Sequence, residues 1–206
     1  MKKDSSGIDL EELRAKLDEA LTFLDFEEAQ KLITQGLNYA HRLKSKFYEY
    51  FFRSQEAILN EDFTKAILYL NRALKLNPYD AECYNDKALC LVDTGKLPQA
   101  LECVEQGLKL AGDHKLLYHC RGWIFIQMGR HLQAIANFRK ALEFDEDYPA
   151  CWANLAECLK QEADFDLALA YYKKALSLIP SRFKNLRRDI LQEIKELKRI
   201  IEKKSS

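Results

Sequence analysis

The chain has 206 residues, 48% of them hydrophobic and 31% charged, with only 7 Gly and 4 Pro. That balance is too apolar for disorder, and so few turn residues argue against an all-β fold and for long helices joined by short loops. Its 32 basic residues are matched by 32 acidic ones, so the basic excess of a general nucleic-acid binder is absent.

Residues 1–9 read as a tail, because Lys2 and Lys3 precede no hydrophobic segment of the kind a secretory signal needs. No later run approaches the roughly 18 to 20 apolar residues that span a bilayer. A soluble, cytoplasmic protein without a membrane span is expected. Residues 10–46 follow. Asp25-Phe26-Glu27-Glu28-Ala29 has the form of a helix start, and Gly36-Leu37 that of a helix end. This stretch is read as a degenerate helical repeat, about three residues longer than its successors.

From Phe47 onward a period of 34 organises the chain. Cutting at Phe47, Ala81, Lys115 and Pro149 aligns the segments 47–80, 81–114, 115–148 and 149–182 without a gap. The fourth position holds Tyr50, Tyr84, Tyr118 and Trp152, and the eighth holds Ser54, Ala88, Gly122 and Ala156. Ala66, Ala100, Ala134 and Ala168 share the twentieth position. Leu70, Val104, Phe138 and Tyr172 share the twenty-fourth, and Ala73, Gly107, Ala141 and Ala175 the twenty-seventh. Small residues at eight, twenty and twenty-seven let two helices approach closely, and larger ones at four and twenty-four fill the gaps between successive pairs. Tight turns between helix A and helix B are predicted at Asn60-Glu61-Asp62, Thr94-Gly95-Lys96, Met128-Gly129-Arg130 and Glu162-Ala163-Asp164, with Gly95 and Gly129 supplying permissive backbone. Pro78 and Pro180 stop helix B.

The last segment, 183–206, carries Phe183, Leu186, Ile190, Ile194, Leu197 and Ile201. Spacings of three and four put them on one helical face, as expected of a capping helix. From Arg182 to Lys204 there are nine basic residues against four acidic, whereas Met1 to Glu28 has nine acidic against four basic. Zero net charge thus conceals two poles, read as steering for an acidic partner, as a drive to head-to-tail self-association, or as an ordinary solvated surface. The six cysteines, Cys83, Cys90, Cys103, Cys120, Cys151 and Cys158, include no C-x2-C pair. They are read as small buried apolar residues. No metal site and no cofactor is expected.

Trp152-x2-Leu155-Ala156-x2-Leu159, then Ala168-x3-Tyr172, then Pro180 resembles the tetratricopeptide repeat family, whose pattern is W-x2-L-G-x2-Y, A-x3-F, P. The resemblance covers the four gapless repeats. It implies an all-α fold, a right-handed superhelical solenoid of antiparallel helix pairs, with a concave groove lined by positions two, five, six, nine, twelve and thirteen. Among these positions, Phe51, Phe52, Gln55, Asn85, Leu89, His119, Trp123 and Asn154 are the candidate peptide-binding residues. Trp123 and Phe51-Phe52 stand out as aromatic anchors, unless neighbouring helices cover them.

In some family members, co-chaperones of the large heat-shock chaperones, five such positions clamp a partner's C-terminal carboxylate. Asn154, Lys184 and Arg188 match that motif, whereas His119 and Trp123 break it. Catalysis finds no support: there is no H-E-x-x-H pair and no phosphate-binding glycine loop, and the adjacent His119 and Cys120 point about 100° apart on a helix. The expected function is a non-catalytic adaptor or scaffold that binds a protein or peptide partner. The alternatives are a homo-oligomer assembled through the C-terminal helix, or a binder of acidic C-terminal carboxylates.

Overall fold

Aspartate side chains set where many of the helices begin. Asp9, Asp25, Asp62, Asp80 and Asp164 each accept a hydrogen bond from a backbone N–H in the first turn of the helix that follows, which satisfies donors the helix cannot pair internally. The computed structural model describes residues 9–205. They form eleven helices and no strand: α1 (Leu10–Thr22), α2 (Phe26–Arg42), α3 (Lys46–Leu59), α4 (Phe63–Leu76), α5 (Ala81–Asp93), α6 (Leu97–Ala111), α7 (Lys115–Gln127), α8 (His131–Phe144), α9 (Pro149–Gln161), α10 (Phe165–Leu178) and α11 (Lys184–Ser205). Most of the tail 1–9 lies outside the described residues.

Two compact units divide the chain, one ending at Gly112 and the other beginning at Asp113. In the first, α1 to α6 pack each against the next; in the second, α7 to α11 do the same, and α7 also touches α9. The degenerate repeat is the pair α1–α2. Its three extra residues lengthen α2 to 17 residues, against 14 in α4, α8 and α10.

The predicted turns fall where the spacing put them. In the turn after α5, the Gly95 N–H donates to the Val92 carbonyl and the Lys96 N–H to the Leu91 carbonyl, both at 2.8 Å. This closure needs a left-handed residue, and Gly95 and Gly129 supply it at φ 73° and 70°. At the matching turns Leu24, Glu61 and Ala163 take the same conformation with a side chain attached, at φ 58°, 56° and 60°. Helix B ends two residues before the prolines, α4 at Leu76 and α10 at Leu178.

The periodic small residues form the core seams. All four alanines at the twentieth position are fully buried, as are Leu70, Val104 and Phe138 at the twenty-fourth. At Gly122 a Cβ would lie 2.7 Å from Cε1 of Phe138, so a glycine is what lets α7 approach α8. The fourth position is mixed: Tyr84 is buried, whereas Tyr50, Tyr118 and Trp152 are half-buried. Ile190, Ile194 and Leu197 of α11 are buried, with α11 packed on α10. The stripe proposed for pairing with another copy is therefore largely covered within its own unit.

Candidate functional site

In the first unit the A helices are α1, α3 and α5. Of the two aromatics expected to line a groove, Phe52 is fully buried and Phe51 nearly so. Phe52 packs against α2, where a Cβ at Gly36 would collide with its ring. Phe51 lies beneath the guanidinium of Arg14, 4.2 Å from its ring centroid. Helices of the degenerate repeat cover both, so neither offers a face to a ligand.

Arg14 was not among the sequence candidates, yet it organises this unit. Its Nη1 and Nη2 donate to Asp80 Oδ2 and Oδ1, each at 3.0 Å, and its Nη2 and Nε reach Glu82 Oε2 at 2.7 and 3.0 Å. Burial pushes the Asp80 carboxyl up, but its bonds to Arg14 outweigh that and hold it below its ordinary range. A buried pair of this geometry ties α1 to the start of α5, and removing either partner leaves an uncompensated charge.

Gln55 is buried, and its Nε2 donates to Asp86 Oδ2 at 2.5 Å. Asn85 donates to Asp86 Oδ1 at 3.1 Å. Burial, reinforced by the nearby Glu82 and Asp18 carboxylates, pushes Asp86 up to about 7 against the pull of the two amides. Leu89 is half-buried.

In the second unit α7 and α9 are neighbouring A helices. His119 bridges them: its Nδ1 lies 3.3 Å from the Tyr148 hydroxyl, and its Nε2 lies 3.0 Å from the Asn154 amide nitrogen. An amide N–H can only donate, so the pairing assigns Nε2 as acceptor and places the ring proton on Nδ1. Burial pushes His119 down to about 4, leaving the imidazole neutral at neutral pH. Trp123 stands one turn further along α7 on the same face and is half-buried.

Lys160 of α9 pairs with Glu157 at 3.3 Å and with Glu193 of α11 at 2.7 Å, and the Tyr172 hydroxyl donates to Glu157 at 2.8 Å. Lys184 and Arg188 are exposed on the first turns of α11, with Arg188 3.4 Å from Asp189. Between them, Arg187 donates to the Leu176 and Ile179 carbonyls at 2.8 and 2.5 Å, closing the end of α10. Of the three clamp matches, Asn154 is already bonded to His119, whose imidazole burial keeps uncharged at neutral pH.

Burial pushes the thiols of Cys90, Cys151 and Cys158 up to about 12 and that of Cys103 to about 11. They are poor nucleophiles at neutral pH. Among the described residues no group of three or more His, Cys, Asp or Glu side chains is placed to hold a metal ion. None of the described helices is long and apolar enough to cross a membrane.

The sequence profile of the tetratricopeptide repeat family matches residues 57–119 and 125–190. Among curated proteins, the chain is similar to DnaJ homolog subfamily C member 3 of Bos taurus, 27% identical over 110 residues, covering 52% of this chain and 22% of that protein. It is also similar to the Hsp70-Hsp90 organizing protein of Triticum aestivum, 24% identical over 135 residues, covering 66% and 23%. The matched region spans less than a quarter of either relative.

Among solved structures, a thermophilic TPR protein of Thermus thermophilus, TTC0263, matches with a TM-score of 0.70 at 18% identity, covering 89% of this chain and all of that one. The Yersinia enterocolitica type III secretion chaperone SycD, in complex with a peptide of the translocator YopD, matches with a TM-score of 0.53 at 22% identity, covering 57% and 91%.

Proposed function

Because the chain belongs to the tetratricopeptide repeat family, we propose that it is a non-catalytic adaptor that holds a segment of a partner polypeptide on the α7–α9 face of its second unit. The observation that carries this reading is Trp123, a large half-exposed aromatic beside a polar pair, His119 and Asn154, that satisfies itself without charge. A half-buried tryptophan offers large contact area at small entropic cost, and such residues dominate binding at interfaces. SycD, a structural neighbour, is seen in complex with a peptide of the translocator YopD, and the wheat relative is named Hsp70-Hsp90 organizing protein.

The partner is a protein rather than a nucleic acid, given the balanced charge, and a cytoplasmic location fits six free, buried thiols. Binding rather than chemistry is supported by the His119 imidazole, which contacts Tyr148 and Asn154, and by five of the six thiols, which burial raises.

The test is a selection of displayed peptides against the full chain, followed by titration of the enriched peptides against Trp123→Ala. A loss of roughly 30-fold or more in affinity is expected of an anchor residue. Enriched peptides that bind Trp123→Ala as tightly as the parent would remove Trp123 from the site.

A further inference from the structure

The first unit carries a second surface that the α7–α9 face does not involve. Between α4 and α6, floored by Tyr84 of α5, lies a cleft of about 650 Å³, within the size range of ligand sites. Leu68 and Leu110 form its apolar walls and are 49% and 36% exposed. Arg72, Lys75 and Lys87 also line it, and no carboxylate does among the described residues. The Arg72 guanidinium is steadied 5.6 Å from the Tyr50 ring and 6.0 Å from the Tyr69 ring. No salt bridge is formed by Lys75 or Lys87 among the described pairs, which differs from Lys115, Lys140 and Lys160 elsewhere on the chain.

This combination is local rather than a property of the repeat. One period on, Lys75 and Lys87 keep their charge as Lys109 and Arg121, but Leu68 becomes Glu102 and Arg72 becomes Gln106; two periods on, Leu68, Lys75 and Lys87 become Ala136, Glu143 and Leu155. Two exposed leucines between three cations complement a segment that presents apolar side chains flanked by carboxylates. We propose that this cleft docks an acidic amphipathic peptide segment of another protein, with its apolar residues between Leu68 and Leu110 and its carboxylates on Arg72, Lys75 and Lys87. The site is separate from the one anchored by Trp123, and the two stand or fall independently.

The experiment uses the full chain and a fluorescein-labelled helical peptide of about twelve residues, with leucines at i, i+3 and i+4 spacing and glutamates between. Its counterpart carries lysine in place of every glutamate. Anisotropy should rise with the glutamate peptide only, and affinity should fall as salt is raised from about 50 to about 500 mM. The double variant Lys75→Glu, Lys87→Glu and the single variant Leu68→Ser should each weaken binding about tenfold or more while circular dichroism stays unchanged, and Trp123→Ala should leave it intact.

Lys75→Glu alone, at an exposed position, keeps the charge test available if the double variant misfolds. Equal binding of the lysine peptide, or wild-type affinity in Lys75→Glu or Leu68→Ser, would overturn the proposal. So would tighter binding of a single-stranded oligonucleotide or an anionic vesicle that the same variants abolish.

Discussion

Asp86 and His119 are half-buried titratable groups whose shifts run in opposite senses. The native state holds a proton on Asp86 up to about 7, against an ordinary value of 3.8. Between those values the unfolded chain binds fewer protons than the native one, so this carboxyl contributes stability that is lost as pH rises through the window. For His119 the native value is about 4, against 6.5. Between those values the unfolded chain binds more protons, so this contribution is lost as pH falls. The groups around Asp86 are Gln55, Asn85, Glu82 and Asp18, and Asn at position 86 keeps an acceptor for Gln55 while removing the charge. Asp86→Asn is therefore expected to raise the urea midpoint above pH 7 and leave it little changed near pH 4, with a gain on the order of 2 kcal/mol at the upper end, less than the full shift implies because Asp86 keeps some solvent contact. Urea melts of both proteins at half-unit pH steps measure it. A difference independent of pH would show that Asp86 is not protonated in the folded state near neutrality.

At the scale of helices, the turn between helix A and helix B is one device filled by different residues. The backbone is left-handed at Leu24, Glu61, Gly95, Gly129 and Ala163 alike, so the geometry is dictated by the packing of the hairpin rather than by the residue in the turn. An L side chain in that conformation costs roughly 1 kcal/mol, which glycine avoids. The open surroundings of Gly129, where an added Cβ would meet nothing within 4 Å, mean that the cost there is backbone strain alone. Ala163→Gly is expected to stabilise the second unit by about 1 kcal/mol, and Gly129→Ala to destabilise it by a similar amount, each as a shift in urea midpoint at constant m. A neutral Gly129→Ala would mean that the turn relaxes to another conformation without loss.

At the scale of the whole chain, the repeat register was legible because the same buried alanines recur every 34 residues: Ala66, Ala100, Ala134 and Ala168 are spaced by the period and all lie in the core. The candidate site was less legible. Phe51 and Phe52 occupy groove positions by register, but what covers them comes from the degenerate repeat, through Arg14 and α2. A large aromatic facing Gly36 was the one local signal, whereas the pairing of Arg14 with Asp80 and Glu82 spans 66 and 68 residues and no spacing rule reveals it. Nor does a gapless period reveal the division at Gly112, where the backbone turns left-handed at φ 81°. That division has a consequence for folding. Repeat arrays are stabilised by each hairpin and its nearest neighbours, so the effect of truncation depends on whether the cut separates a hairpin. A chain ending at Gly112 keeps α1 to α6 whole, including the buried bonds of Arg14 to α5. A chain ending at Thr94 keeps those same bonds but strips α6 from α5, removing the Cys103 thiol that donates to the Tyr84 carbonyl and the helix that packs on α5. The fragment 1–112 is therefore expected to retain helical circular dichroism in proportion to its length and to unfold cooperatively in urea. The fragment 1–94 should lose helicity beyond its missing residues and melt over a broader range. Equal cooperativity in the two fragments would mean that α6 adds nothing to the first unit and that the boundary lies elsewhere.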